Sequence, residues 1–230
     1  ASFILTGPEA LLDEVVFGAD GWRAINAGRG PSGKRQAPYN IPQQKEELAF
    51  KDDFNTAVPG WNWPVGDKKP AAEKDSFLVL HAQPRHGTNL LGGIFGRSIT
   101  GGELTATAAL ETDSLQAGEV AGLAMVCDRA NPTGIPLSDG KLIVWHRARN
   151  QQESLATSDA PQTKRLYLQV RAKKGSDYEF AYSADGKTWH DLRQNVSGKH
   201  LPPWDRAVRA SLTVGGKPDA EVRFDSFSID

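Results

Sequence analysis

Apolar and polar residues alternate with period two through most of the chain beyond residue 48. Leu166, Leu168 and Val170 alternate with Tyr167, Gln169 and Arg171. Tyr178, Phe180 and Tyr182 alternate with Glu179, Ala181 and Ser183, and Val208, Ala210, Leu212 and Val214 with Arg209, Ser211 and Thr213. Successive side chains of a strand point to opposite faces, so each run predicts a strand with one face on a core and the other toward water. The run from Ala121 to Cys127 lacks polar partners and reads as a buried strand. Asp139-Gly140, Asp185-Gly186 and Gly215-Gly216 punctuate the runs. Asp-Gly is a strong hairpin signal because both residues tolerate positive φ. No long segment has helical period. Many short strands joined by such turns predict an all-β, two-sheet antiparallel β-sandwich of jelly-roll type over residues 48–230. Near the C-terminus the parity slips: Val222 and Phe224 point one way, and Phe227 and Ile229 join them only after a one-residue shift. Such a slip predicts a β-bulge at Asp225.

The first 47 residues differ. Residues 1–30 hold the apolar stretch Leu11-Leu12-Asp13-Glu14-Val15-Val16-Phe17 and then Gly18, Gly21 and Trp22, which fits two short strands and a turn. Residues 31–47, rich in Pro, Gly, Lys, Gln and Asn, have the composition of a linker.

Charge narrows the partners. Lys and Arg total 27 against 28 for Asp and Glu, giving a net charge of −1, so no field draws nucleic acid or an anionic membrane. No apolar run approaches the length of a bilayer-spanning helix. The single cysteine, Cys127, excludes an intrachain disulfide and, within its apolar run, reads as a small buried hydrophobe.

Catalytic chemistry is harder to place. Glycosidases work with two carboxylates, and Glu111 and Asp113 are two same-face acids. Position 116 of that stretch is Gln, however, and the pair lies at a polar strand end. The five histidines have no metal-type spacing, and no Gly-x-Ser-x-Gly elbow occurs. Exposed indoles make platforms for the flat C–H faces of sugars, which singles out Trp61, Trp63, Trp145 and Trp204 for carbohydrate; the other reading of each is a core or end-closing anchor. Asp53 and Asp225 flank the first and last sandwich strands. If those strands pair, the two acids approach and a structural Ca2+ ion would bridge them, since calcium takes hard oxygen ligands. The other reading is a solvated acidic edge.

Several segments together carry a family resemblance. They are Asp52-Asp53-Phe54 with Trp61-Asn62-Trp63, Asn89-Leu90-Leu91 leading into Leu104-Thr105-Ala106-Thr107, and Gly118 to Ala124. Tyr178 to Trp189 and Phe224-Asp225-Ser226-Phe227 follow. In this order the chain resembles the C-terminal, concanavalin A-like β-sandwich found behind the five-bladed propeller of glycoside hydrolase family 43, the family of β-xylosidases and α-arabinofuranosidases. Leu11-Leu12-Asp13, Asp20-Gly21-Trp22 and Gly28 to Ser32 are similar to the segment where that propeller ends, with Arg23 where the family has Pro. The resemblance implies a propeller-end remnant at 1–30, a linker at 31–47 and the sandwich at 48–230. It implies a non-catalytic accessory domain acting with carbohydrate of the xylan or arabinan class. Its catalytic acids belong on propeller blades outside these residues, and its partner is the catalytic propeller of the same enzyme. The segment 86–97 is the expected reaching loop. An independent carbohydrate-binding module is the alternative. The expected location is extracellular or periplasmic, with a leader or upstream domain absent from this chain.

Overall fold

The computed structural model describes residues 13–30, 32, 49–85, 87–99, 101–149, 151–201, 207–218 and 220–230. They fall into two units, one within residues 9–47 and one from residue 48 onward. Trp204 and residues 33–47 of the expected linker lie outside the described residues. The small unit is a hairpin. Strand β1 (Val15–Phe17) pairs antiparallel with β2 (Arg23–Ile25), and a 3₁₀ turn, Asn26–Gly28, follows. The Asp20 carboxylate accepts the Trp22 N–H at 3.1 Å and shapes the connection. Phe17 and Trp22 stand largely exposed on this unit.

The large unit begins with β3 (Phe50–Asp52), β4 (Trp61–Asn62), β5 (Ala71–Lys74), β6 (Phe77–His81), β7 (Gly93–Ser98) and β8 (Leu104–Glu111). It continues with β9 (Val120–Val126), β10 (Thr133–Ser138), β11 (Lys141–Ala148), β12 (Gln151–Asp159) and β13 (Arg165–Lys173). The last strands are β14 (Asp177–Ser183), β15 (His190–Ser197), β16 (Arg209–Gly215) and β17 (Glu221–Ile229). They build a seven-stranded sheet, β12-β11-β10-β9-β16-β7-β4, and an eight-stranded sheet, β15-β14-β13-β8-β17-β6-β5 with β3 also on β17. Every named strand pair is antiparallel, as the alternation predicts. The two strands latest in sequence hold interior places: β16 lies between β9 and β7, and β17 between β8 and β6.

Leu166, Leu168 and Val170 meet Val208, Ala210, Leu212 and Val214 in one core that also takes Leu123 and Phe180, all fully buried. The slip in β17 is real. Its register on β8 shifts between Phe224 and Ser226, which lets both Phe224 and Phe227 enter the core. Asp139 and Gly140 have φ of 46° and 75° and join β10 to β11 as a two-residue turn, the geometry expected of Asp-Gly. The second Asp-Gly works differently. Six residues separate β14 from β15. Asp185 accepts the backbone N–H groups of Lys187 and Thr188 at 2.8 and 2.7 Å. These bonds, Thr188 first, hold its carboxyl well below the usual range.

The sheets are tied at β3 and β4. The buried Asp52 carboxylate accepts the Phe54 N–H at 2.9 Å and the indole N–H of Trp61 at 2.8 Å. The first bond holds Phe54 at φ 58°, a left-handed conformation rare for an aromatic residue. The second places the indole parallel to Phe95, with centroids 4.6 Å apart, and 5.0 Å from the Phe227 ring. Arg97 lies with its guanidinium 3.5 Å from the Phe50 ring centroid and donates to the Pro59 carbonyl at 2.7 Å.

A histidine pair sits at the end of β11. The His146 and His200 rings are 5.1 Å apart between centroids, and His200 Nδ1 lies 3.0 Å from the Ser197 carbonyl oxygen. Burial, and secondarily the neighbouring His146, keeps His200 below its ordinary value of 6.5.

Two predictions follow from these contacts. Loss of the charged acceptor in Asp52→Ala should cost about 2–4 kcal/mol in denaturant unfolding, and Trp61→Phe about 1–2 kcal/mol, since bonds to charged groups are worth roughly 1.5–3 kcal/mol. A cost within error of zero for Asp52→Ala refutes the tie. Below about pH 6.5 the unfolded chain binds the proton that folded His200 resists, so stability falls as pH drops from 6.5 through the lowered folded value. The melting temperature should therefore fall between about pH 7 and about pH 5, and His200→Gln should flatten that slope.

Candidate functional site

The outward face of the seven-stranded sheet combines small residues with a second apolar cluster. In β9, Ala121, Leu123 and Met125 face the main core, which turns Gly122, Ala124 and Val126 outward. The register aligns Asn62, Gly96, Ser211, Ala124, Gly134 and Trp145 in one row across six strands. Between Asn62 and Trp145 no side chain in the row is longer than serine. A Cβ on Gly96 would lie 2.2 Å from Ser211 Oγ, so alanine there would require the Ser211 hydroxyl to move. Leu91, Ile94, Ala124, Val126 and Trp145 form the outer cluster, with Leu90 and Ile143 packed against it.

Beside this cluster lies a cleft of about 490 Å³. Ile94, Val126 and Cys127 line its apolar part, and Trp63, Pro64 and Val65 contribute a wall. Trp63 keeps 38% of its surface exposed, and its ring is inclined 19° to Phe95 with centroids 6.2 Å apart. Val65 is fully exposed.

The cleft's charged residues differ in what they already hold. Arg129 bonds Asp67 Oδ2 at 2.5 Å, Gln83 Oε1 at 3.2 Å and the Gly92 carbonyl at 2.5 Å. The Asp128 carboxylate closes its own turn by accepting the N–H groups of Ala130 and Asn131 at 2.7 and 3.0 Å. Arg209 has no ion-pair or hydrogen-bond partner for its side chain among the described residues, and its Nε is buried. It pairs across strands with Ser98 and Val126, on the same outward face as the small-residue row.

The sequence candidates separate on this map. Trp63 lines the cleft with an accessible ring. Trp61 is committed to Asp52 and the aromatic cluster, and Trp145 is 1% exposed in the outer cluster, so neither offers a free face to a sugar. Trp204 is outside the described residues.

The calcium expectation does not fit the placement of its two acids. β3 and β17 do pair, with Phe227 opposite Asp52, and the bulge does turn Asp225 aside. It turns Asp225 onto a cation of the protein: Arg165 Nη2 lies 2.7 Å from its carboxylate, and Arg165 Nε lies 2.5 Å from Glu111. Burial pushes the Arg165 guanidinium down, but the bond to Glu111 and the charge of Asp225 outweigh it and hold it above its ordinary value. Asp53 is exposed and accepts the Asn55 N–H at 3.2 Å. Its neighbour Asp52, passed over in the sequence reading, is the buried acid. Among the described residues no three His, Cys, Asp or Glu side chains converge to hold a metal ion. Glu111 and Asp113 also part company, Asp113 lying 3.1 Å from Arg223.

Sequence reasoning missed Arg209. Its signal was its place in β16, where it is the outward residue between buried Val208 and Ala210.

Comparison with known proteins adds to the geometry. Residues 51–204 match the family model for the β-xylosidase C-terminal concanavalin A-like domain. No curated protein matches the chain. Among solved structures, the GH43 protein BlXynB from Bacillus licheniformis matches with a TM-score of 0.81 and 23% identity, over 97% of this chain and 47% of that one. Xylan β-1,4-xylosidase from Bacillus halodurans matches with a TM-score of 0.79 and 16% identity, over 95% of this chain and 46% of that one. The Bacteroides ovatus protein described as xyloglucan PUL GH43B gives 0.78 and 19%, over 94% and 46%. The chain thus spans about half the length of each.

The acid placement yields a prediction. A chelator should leave the melting temperature unchanged, whereas Asp225→Asn should cost about 0.5–1 kcal/mol by weakening a part-exposed ion pair. Thermal melting in both backgrounds checks it, and a chelator-induced drop would restore the calcium site.

Proposed function

The chain belongs to the family of β-xylosidase C-terminal concanavalin A-like domains, and on that premise we propose that it is the accessory sandwich of a family 43 glycoside hydrolase acting on plant glycans of the xylan or arabinan class. The sandwich packs on a catalytic propeller of the same enzyme, and the propeller carries the acids that cleave the glycosidic bond. In that arrangement this chain contributes binding surface and stability. Polymeric substrates of this class lie outside the cell, which places the enzyme in an extracellular or periplasmic compartment.

One observation carries the reading. The acids here that most resemble a catalytic pair are each engaged with arginine: Glu111 and Asp225 with Arg165, and Asp113 with Arg223. An inverting glycosidase needs one acid protonated and one free to activate water, about 6.5–9.5 Å apart. Here each of the three carboxylates already faces a guanidinium, so none is left free to flank a glycosidic bond. The matched structures, each about twice as long, have room for a second domain to supply that pair.

Assay of the chain alone against aryl β-xylosides and α-arabinofuranosides should give no turnover, and Glu111→Gln should change nothing. A propeller polypeptide from the same reading frame should bind the chain and hydrolyse these substrates. Turnover by the chain alone that disappears in Glu111→Gln would sink the proposal.

A further inference from the structure

The cleft beside Trp63 holds a combination that the accessory role does not use. Its floor is apolar, its wall is a half-exposed indole, and one cation within it has no counter-ion among the described residues. A volume of about 490 Å³ lies inside the roughly 300–1,000 Å³ typical of small-ligand sites, which pair apolar linings with a few fixed polar groups. A partly desolvated guanidinium left without an acceptor is costly, because it has given up water without gaining a partner. The neighbouring charges offer it no relief. Arg129 is engaged by Asp67, Gln83 and the Gly92 carbonyl, and the three N–H groups that reach Asp128 Oδ1 come from Ala130 and Asn131 of its own turn. The site therefore favours a ligand that brings a planar anion to Arg209 and a flat apolar face to Trp63.

We propose that this cleft binds a sugar ring bearing a carboxylate, a uronic acid, with the ring stacked on Trp63 and the carboxylate on Arg209. The inference rests on the carbohydrate reading above and deepens it by naming the substrate feature recognised. A neutral sugar uses only the indole and the polar rim, including Asn62. A small carboxylate without a ring uses only Arg209. The uronate alone uses both, and a guanidinium meets a carboxylate in two parallel hydrogen bonds that an ammonium cannot copy.

Binding of methyl glucuronide, methyl glucoside and acetate to the 230-residue chain tests this, followed by the indole N–H resonances and by calorimetry. Methyl glucuronide should bind about tenfold or more tightly than methyl glucoside, as one charge-assisted contact requires. Acetate should bind more weakly than methyl glucuronide. Arg209→Gln should erase the gap between the two sugars while leaving methyl glucoside binding unchanged, and Arg209→Lys should restore it only in part. Trp63→Ala should weaken both sugars. Melting curves confirm that each variant is folded. Equal binding of the two sugars, acetate binding as tight as the glucuronide, a gap that survives Arg209→Gln, or no sugar binding at all would each overturn the proposal. None of these outcomes touches the accessory-domain reading, which stands or falls on the separate assay with the propeller polypeptide.

Discussion

The bond from the Trp61 indole to the Asp52 carboxylate joins the two sheets, and the rest of the site depends on it. Asp52 ends β3 in the eight-stranded sheet, and Trp61 opens β4 at the edge of the seven-stranded sheet. A carboxylate buried this deeply is tolerated only when hydrogen-bonded. Here the Phe54 amide and the indole satisfy it, and the charge of Arg97 lies close enough to be felt. With the indole fixed against Phe95 and Phe227, the chain has one way to leave β4. It delivers Asn62 to the outward row opposite Gly96 and then Trp63 to the wall of the cleft. A partly buried structural tryptophan thus positions a more accessible one two residues later.

Much of the fold was legible because alternation is a local property. The strands containing Leu166–Val170 and Val208–Val214 declared themselves, and the parity slip before Phe227 announced its bulge. What stayed hidden depended on partners distant in sequence. Asp225 was read correctly as leaving the ladder, but its partner Arg165 is sixty residues away, and nothing local to Asp225 distinguishes an arginine from a metal ion. Trp145 looked available because an outward strand position is normally wet. In this sheet the outward face carries its own cluster with Leu91 and Ile94, supplied by a different part of the chain. Trp61 and Trp63 looked alike by parity, yet β4 is only two residues long and the alternation stops before Trp63. Arg209 went unnoticed because a charged residue on an outward position is what a solvated face requires; its lack of a partner is visible only in three dimensions.

The acids illustrate how charge is handled across the eight-stranded sheet. Arg165 serves Glu111 and Asp225, and Arg171 serves Glu179 and Asp191. Cross-strand ion pairs of this kind fix register more than they add stability, since part-exposed pairs contribute little each. They leave each of these guanidinium groups with two carboxylate partners. On the outward face of the other sheet, Arg209 has no such partner among the described residues, and there the two faces differ in chemistry.

The interior places of β16 and β17 have a consequence for biosynthesis. On the ribosome, β8 and β9 are made long before the strands that belong between their neighbours. At about 5–20 residues per second, the interval from Leu104 to Glu221 amounts to roughly 6–23 seconds. Throughout that time the half-sheet around β8 carries an open hydrogen-bonding edge in the middle, and the one around β9 does so for roughly 4–18 seconds at the same rate, until β16 is made. An unpaired edge accepts any passing strand, including one from a sister polysome. Yield from a heterologous host should therefore respond to chaperone supply and to growth temperature more than the stability of the finished sandwich would suggest.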